Sequence, residues 1–392
     1  MNNMLSITES REKFDYISVN FVDMSMHNGP AVNEIEFNRW LLSSFSKSLL
    51  LSPVAVSELH GLKQVALGRC TLRRPIRFIL TQIEVAKAIA RLARRDGAIY
   101  YRHSRLSVLP ILLKWLRPDL RLLATRLNGT RSADAAIEKG IKARLSGLVE
   151  LADWALRKHI ARTAEWVDTT TPQMAANLAS VAGRKVEYVP NGVNCAQFKP
   201  IPAKLRSEFR AEHGIPQDAI IVGYAGGFPT QRGALQALEI VQHREDAYAI
   251  VIGKLTTDEE LRLKHPRVLC FGKVPYNHVS QLIGQFDVGL SFDVPERVAL
   301  IGNSQQKLRQ YLACGVVTIT ASTDLPLRED PILGCDLFVG ELSIIEAYDR
   351  VVRLLEPRHR RHRYEFARSN LSPSRIFGRR HEKIESREAT DR

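Results

Sequence analysis

Val222-Gly223-Tyr224-Ala225-Gly226-Gly227-Phe228-Pro229-Thr230-Gln231-Arg232-Gly233 is the stretch on which the fold turns. Ile220–Tyr224 is apolar and rich in β-formers, which predicts a buried strand. Two glycines follow, and Ala234–Val241 then has helical apolar spacing. Strand, glycine-rich loop and helix in that order make the repeating unit of a parallel α/β sheet. Gly226 and Gly227 let backbone N–H groups come close to a phosphate, and the next helix start adds its dipole. Arg232 is then placed to clamp a diphosphate as a bidentate donor. On its own, the stretch is a weak phosphate signal and reads more simply as an ordinary strand-to-helix turn whose glycines answer only to sterics.

The same alternation continues on both sides. Downstream, Ala249–Ile252, Val268–Phe271, Val288–Phe292, Val316–Ala321 and Leu337–Val339 read as strands. Thr257–Leu263, His278–Phe286, Ser304–Cys314 and Leu342–Leu355 read as the helices between them. Upstream, Tyr16–Val22, Ile99–Tyr101, Leu122–Leu127, Val167–Thr170 and Val186–Val189 read as strands. Glu34–Phe45, Ile76–Arg95 (stopped by Gly97), Leu106–Leu116 and residues 133–165 read as helices, and Pro172 starts another. A turn-rich break, Pro190-Asn191-Gly192-Val193-Asn194, separates the two series. The expectation is α/β: two doubly wound Rossmann-like domains facing each other across a cleft at the carboxyl ends of their strands. The boundaries expected are 1–190, 191–365 and a closing segment, 366–392.

The 392 residues exceed one usual domain of ~150. With 45% apolar and 25% charged residues, the chain has matter for two cores, and disordered or collagenous classes are excluded. The longest apolar run, Leu106–Leu116, is interrupted by Lys114 and falls short of the ~18 residues of a membrane span. The first residues, MNNMLSITESREKFD, lack a secretory pattern. The five cysteines contain no C-x-x-C pair, so a zinc cage or disulfide framework is not expected, and a reducing cytoplasm fits. His159, His213, His243, His265 and His278 show no ligand spacing, and no metal or other cofactor is expected.

Net charge is +14, unevenly spread. Residues 1–196 carry 28 basic and 17 acidic side chains, residues 197–352 carry 16 and 19, and residues 353–392 carry 12 and 6. A basic first half and tail attract phosphates, whether of anionic lipid or of a phosphorylated carrier. Nucleic acid is not expected: only 7% of residues are aromatic, and no aromatic-and-basic platform is visible. Arg358–Arg363, RHRRHR, is the one charge run.

Gly302–Gly315, GNSQQKLRQYLACG, is the second informative stretch. Asn303 or Ser304 reads as a helix N-cap, with Lys307 in the first turn where it reaches back toward an anion. Gln310 lies one turn on, and Leu308, Tyr311 and Leu312 face the core.

An ordered series now stands out: Pro190-Asn191-Gly192-Val193, Phe198-x-Pro200, Gly226, Arg232-Gly233, Gly272-x-Val274-Pro275, Asp287-Val288-Gly289, Lys307-Leu308 and Tyr311-Leu312-Ala313-Cys314-Gly315. Over about residues 186–355 it resembles the carboxyl-terminal half of glycosyltransferase family 4, retaining enzymes of GT-B fold. The resemblance implies a nucleotide-sugar donor held by the second domain, as substrate rather than cofactor. It makes Arg232 and Lys307 the cations on the leaving diphosphate, with Gly226, Gly227, Ser304 and Gln310 around the donor. Two positions depart from the pattern. Gly227 stands where the family has a basic residue, and Gln310 where it has a ribose-binding glutamate. The family's earlier carboxylate falls on Gly302, and Glu296 is the nearest acid upstream.

For the first domain, the resemblance implies an acceptor site. His27-Asn28-Gly29-Pro30-Ala31 occupies the place of a glycine-rich loop, with Gly29 facing the substrate. His103 in Tyr101-Arg102-His103-Ser104 faces the cleft, and Asn128 in Arg126-Leu127-Asn128-Gly129 replaces a second histidine. Glu150 and Asp153, three apart on a helix, read as solvated acids. Ser372-Pro373 and the basic helix Arg375–Glu388 resemble the family's last segment, which returns to the first domain. The implied activity is transfer of a hexosyl group, with retention, to a glycan or polyprenyl-diphosphate-linked acceptor, in bacterial surface polysaccharide synthesis. An anionic membrane surface is a further partner, which makes the protein cytoplasmic and peripheral. The alternatives are another GT-B nucleotide-sugar enzyme, such as an epimerase, or an inactive nucleotide-sugar-binding homologue.

Overall fold

Ser48-Leu49-Leu50-Leu51-Ser52 is buried at every position, as a strand covered on both faces must be. It is one of seven strands in the first sheet of the computed structural model, which describes residues 12–26, 29–45, 47–68, 75–127, 141–293, 298, 302–321, 323–337 and 342–378. The chain divides into two units, Met1–Pro190 with Phe377–Arg392, and Asn191–Ile376.

Unit 1 contains β1 (Phe14–Val19), α1 (Gly29–Ser44), β2 (Ser48–Ser52), β3 (Gln64–Ala66), α2 (Pro75–Leu92), β4 (Ala93–Arg102), α3 (Leu109–Leu116), β5 (Arg121–Thr125), α4 (Ile141–Thr163), β6 (Trp166–Thr169), α5 (Pro172–Ala182) and β7 (Glu187–Tyr188). The strands pair in parallel in the order β3-β2-β1-β4-β5-β6-β7. Ile17, Val19, Leu49, Ile99, Leu122 and Val167 meet the apolar faces of the helices in one core. Phe377, fully buried, packs edge-on against Phe37 at 5.1 Å and lies 5.9 Å from Trp40, which fixes the returning chain to this unit.

Unit 2 contains α6 (Ala203–Glu212), β8 (Ile220–Ala225), α7 (Pro229–Arg232), α8 (Ala234–His243), β9 (Ala247–Ile252), α9 (Thr257–Arg262), β10 (Val268–Cys270), α10 (Tyr276–Ile283), β11 (Val288–Ser291), α11 (Gln306–Ala313), β12 (Val317–Thr320), β13 (Gly334–Asp336), α12 (Ile344–Val352) and α13 (Pro357–Asn370). Its parallel sheet runs β10-β9-β8-β11-β12-β13, with a core on each face. In both sheets the first strand lies beside the fourth. That reversal of strand order opens a crevice at the strands' carboxyl ends, the usual ligand position in open α/β sheets.

Several expectations are corrected. The helix expected over Ile76–Arg95 ends at Leu92, and Ala93 opens β4. Arg94-Arg95-Asp96 are exposed and cannot lie in a covered sheet, so they bulge out where the register against β1 shifts, with Asp96 at φ 60°. The last strand described is Gly334–Asp336; of the expected Leu337–Val339, residues 338 and 339 lie outside the described residues. A Cβ at Gly334 would stand 2.1 Å from the Thr318 carbonyl oxygen, so β12 and β13 meet this closely only at glycine. The charge run RHRRHR lies in α13, where Arg363 is 2% exposed and donates to the Gly315 (2.8 Å) and Ile332 (2.9 Å) carbonyls. Ser304 does not cap α11. Gln305 stands at the N-cap without a side-chain bond, and the Ser304 hydroxyl donates to Asp324 at 3.2 Å.

Candidate functional site

In unit 2, four side chains converge at the carboxyl ends of β8 and β11. Tyr224, near the end of β8, donates its hydroxyl to the Gly227 carbonyl at 2.6 Å, which shapes the loop Gly226-Gly227-Phe228. Lys307, second residue of α11, donates to the same hydroxyl at 2.6 Å, and its ammonium lies 3.9 Å from the ring centroid. Arg232 ends α7. Its carbonyl accepts from Phe292 N at 2.9 Å, its guanidinium faces Asp293 at 3.4 Å, and it lies 5.4 Å from the centroid of the exposed Phe228 ring. Burial first, and the charge of Arg232 second, pull the Lys307 ammonium well below the ordinary lysine value, with Asp293 opposing. Arg232 is thus ion-paired to Asp293, and both act electrostatically on the buried Lys307.

The glycines explain how close this approach is. Gly226 has φ +135°, and a Cβ there would stand 3.0 Å from Lys307 Nζ. The Gly226 amide is committed to the Ile252 carbonyl at 2.8 Å. It therefore belongs to the sheet rather than to a phosphate cradle. Among the described residues, the Gly227 and Phe228 amides donate to no protein acceptor. A Cβ at Gly227 would meet nothing within 4 Å. Phe228, at φ 57°, and the turn at Gly233, at φ 142°, swing the chain back so that Arg232 returns over β11.

The start of α11 is held by the turn that opens unit 2. Arg309, fully buried and paired with Asp324, donates to the Asn191 carbonyl at 3.0 Å. Gln306 donates to the Gly192 carbonyl, and Asn191 donates to the Ser304 carbonyl at 2.7 Å. The motif Asn191-Gly192 therefore fixes the helix that carries Lys307. Tyr311 on the same helix accepts from Ala225 N at 2.9 Å and donates to the Leu290 carbonyl at 3.3 Å, tying α11 to β8 and β11.

The structure thus brings Gly226, Gly227, Arg232 and Lys307 together. Gln310 is set against the Tyr276 hydroxyl at 3.4 Å, and Ser304 against Asp324. Glu296, His27 and Asn128 lie outside the described residues. Tyr224 and Asp293 were missed by the sequence reading. Tyr224 reads as a strand residue, and Asp293 follows a strand with no motif to mark it.

In unit 1, Gly29 opens α1. His103 follows β4 and its side chain is 4% exposed, with Nε2 3.5 Å from Asp153 Oδ1. Burial, the largest influence, lowers the His103 pKa, so the ring is neutral at pH 7. Asp153 also accepts from Arg157 Nε at 2.7 Å and from Leu106 N at 2.6 Å. Burial works to raise its pKa, but His103, Arg157 and the Leu106 amide bring it down to about 2. The expected solvated acid is therefore a 2%-exposed anchor, because Arg157 one turn along α4 satisfies its charge. Beside it, Arg102 pairs with the buried Glu34 of α1 at 2.5 Å. This second charged cluster also lies at the carboxyl end of β4, next to β1.

No protein-family model matches the chain. No curated protein matches it in sequence. Solved structures do match in shape. HepE from Anabaena, in complex with UDP-glucose, superposes with a TM-score of 0.65 at 12% identity, covering 95% of this chain and 99% of that one. Sucrose-phosphate synthase from Thermosynechococcus elongatus gives 0.67 at 15% identity, covering 96% and 99%. WaaG, a glycosyltransferase involved in lipopolysaccharide biosynthesis, gives 0.61 at 12% identity, covering 91% and 95%. Two doubly wound parallel α/β units and these likenesses together establish that the chain has the GT-B fold.

Proposed function

We propose that the protein is a retaining glycosyltransferase whose donor, a nucleotide-diphosphate sugar, binds in unit 2. The observation that carries this is the pairing of Arg232 and Lys307 beside the open Gly227–Phe228 loop at the β8/β11 switch point. Neutralising a leaving diphosphate is where such a reaction gains most from a preorganised site. The sugar–phosphate C–O bond breaks as the acceptor oxygen bonds to the same face of the anomeric carbon. The acceptor's proton passes to the departing phosphate oxygen, so no strong protein base is needed. Unit 1 takes the acceptor, with neutral His103 orienting a hydroxyl at the end of β4. The GT-B likenesses support this reading, as does the resemblance of residues 186–355 to family 4. The basic first half favours a glycan or lipid-linked acceptor at an anionic membrane surface, as surface polysaccharide synthesis uses.

The test is a thermal-shift screen with UDP-, GDP-, ADP- and TDP-sugars, since a ligand that binds only the native state raises its melting temperature. One of them is expected to stabilise the wild type and to lose its effect in R232A and K307A. No stabilisation by any donor, or equal stabilisation of both variants, would refute the assignment. Donor binding without turnover would leave a nucleotide-sugar-binding homologue instead.

A further inference from the structure

Unit 2 has a further charged cleft, at the end of its sheet opposite the donor crevice. It lies between α6 and the amino-terminal ends of β8 and β11, with a volume of about 380 Å³. Small-molecule sites have volumes of this order. β8 is six residues long, so the cleft stands roughly 20 Å from the Gly226–Gly227 loop at ~3.3 Å per residue. Arg206 and Arg210, one turn apart on α6, line it together with Asp287, the residue before β11. Both guanidiniums bond to the Asp287 carboxylate, Arg210 at 2.9 Å. Arg360 of α13 reaches the same carboxylate at 3.7 Å. Three guanidiniums therefore share one carboxylate. Asp218 on the exposed rim adds a negative charge, and Arg363, close enough to act on Arg360, adds a positive one. The cluster keeps a surplus of two positive charges.

The hydrogen bonds are uneven as well. Arg210 spends Nη1 on the Ala219 (2.6 Å) and Pro216 (3.1 Å) carbonyls, and Arg360 spends Nη2 on those of Gly284 (2.8 Å) and Phe286 (3.1 Å). Arg206 engages only Nη2, on Asp287 and on the Gln285 carbonyl at 3.2 Å. Its Nε, like the Nε of Arg360, is buried with no acceptor among the described residues. Buried donors are seldom left so in folded proteins. The cations also oppose one another. Burial, and then the charge of Arg206, bring Arg360 down to about 10, and burial lowers Arg210, with Arg206 acting in the same direction against Asp287. An anion beside Arg206 answers both the repulsion and the missing acceptor. A carboxylate would neutralise half of the surplus. A phosphate monoester, with a charge near −2 at pH 7, neutralises it and offers several oxygens to a guanidinium fork. Ala203, Ile220 and Leu355 line the same cleft and give the ester's carbon part an apolar wall.

We infer that this cleft binds a small phosphate monoester, its phosphate held by Arg206 and Arg210 and its carbon part against Ile220 and Leu355. The site is separate from the donor crevice and does not rest on the glycosyltransferase reading, since binding is measured without donor or acceptor.

The experiment is titration calorimetry of the full chain with glucose 6-phosphate, glycerol 3-phosphate, inorganic phosphate and glucose. At least one of the two esters is expected to bind, more tightly than inorganic phosphate, and glucose is not. R206Q should weaken ester binding at least about 10-fold, the loss of a charge-assisted hydrogen bond. Because R206Q also loosens Asp287, the exposed rim residue Ser207 supplies a second variant. The carboxylate of S207E repels the dianion and should weaken binding about fivefold, with the melting temperature of the free protein unchanged. R232A/K307A, altered only in the donor crevice, should bind the ester as the wild type does. No binding of either ester overturns the inference, as does unchanged affinity in a folded R206Q or in S207E. Loss confined to R232A/K307A also overturns it, because the ester would then occupy the donor crevice. Inorganic phosphate bound as tightly as both esters overturns the assignment to a monoester.

Discussion

Replacing Gly226 by alanine tests the geometry of the donor site through one methyl group. At φ +135° an alanine is strained, at a cost of about 1–3 kcal/mol. Its Cβ would stand 3.0 Å from Lys307 Nζ and 3.2 Å from Cε. The lysine end is flexible, so the ammonium yields and leaves the Tyr224 hydroxyl it now meets at 2.6 Å. A charge-assisted hydrogen bond to a phosphate is worth about 1.5–3 kcal/mol, so losing the aligned ammonium weakens donor binding about 10- to 150-fold. Titration calorimetry with the stabilising donor measures that loss. The decisive comparison is the double variant. If G226A acts by displacing Lys307, then G226A/K307M binds about as weakly as K307M alone, because the two changes remove one interaction. Additive losses would refute the reasoning, as would undiminished affinity in G226A that retains its fold.

Further outcomes follow from the charges. Because Lys307 is held well below the usual lysine value, donor affinity should fall as pH rises at values well below 10.5, and K307R, which stays charged, should keep its affinity further into alkali; calorimetry across that range checks both. The sign for the free protein is opposite: a lysine whose folded pKa is depressed leaves the native state with fewer bound protons, so stability rises with pH in the window below 10.5. D293N removes the carboxylate that Arg232 now faces and should tighten donor binding, by at most about fivefold; weaker binding would mean that Asp293 positions the guanidinium instead. D153N leaves Arg157 buried without its counter-charge and should cost about 3–5 kcal/mol in denaturant unfolding. Asp153 has a folded pKa of about 2 against 3.8, so its contribution is present above that value and lost as pH falls through 2.

The parallel α/β architecture was legible because strands covered on both faces are largely apolar, as in Ile220–Ala225. β2 and β3 were not, since three residues carry no period and SLLLS offers only three apolar positions between serines. Gly334–Asp336 was not read as a strand because glycine and aspartate look like breakers, whereas here glycine permits a backbone approach that no other residue allows. In the site, Arg232 and Lys307 announced themselves beside glycines and a helix start. Asp293 and Tyr224 did not, since their roles arise only when β8 and β11 become neighbours 66 residues apart in sequence, as in the bond from Ile221 N to Asp287. Asp153 and Arg363 show the reverse: charges that look solvated in sequence are buried where a partner one turn away, or a row of carbonyls, takes them up.

A crystal structure with the stabilising nucleotide bound tests the central claim most directly. The account predicts diphosphate oxygens within hydrogen-bond distance of both Lys307 Nζ and the Arg232 guanidinium, and of the Gly227 or Phe228 amide. A nucleotide bound elsewhere, with Lys307 still on Tyr224 and Arg232 still facing Asp293, would contradict it.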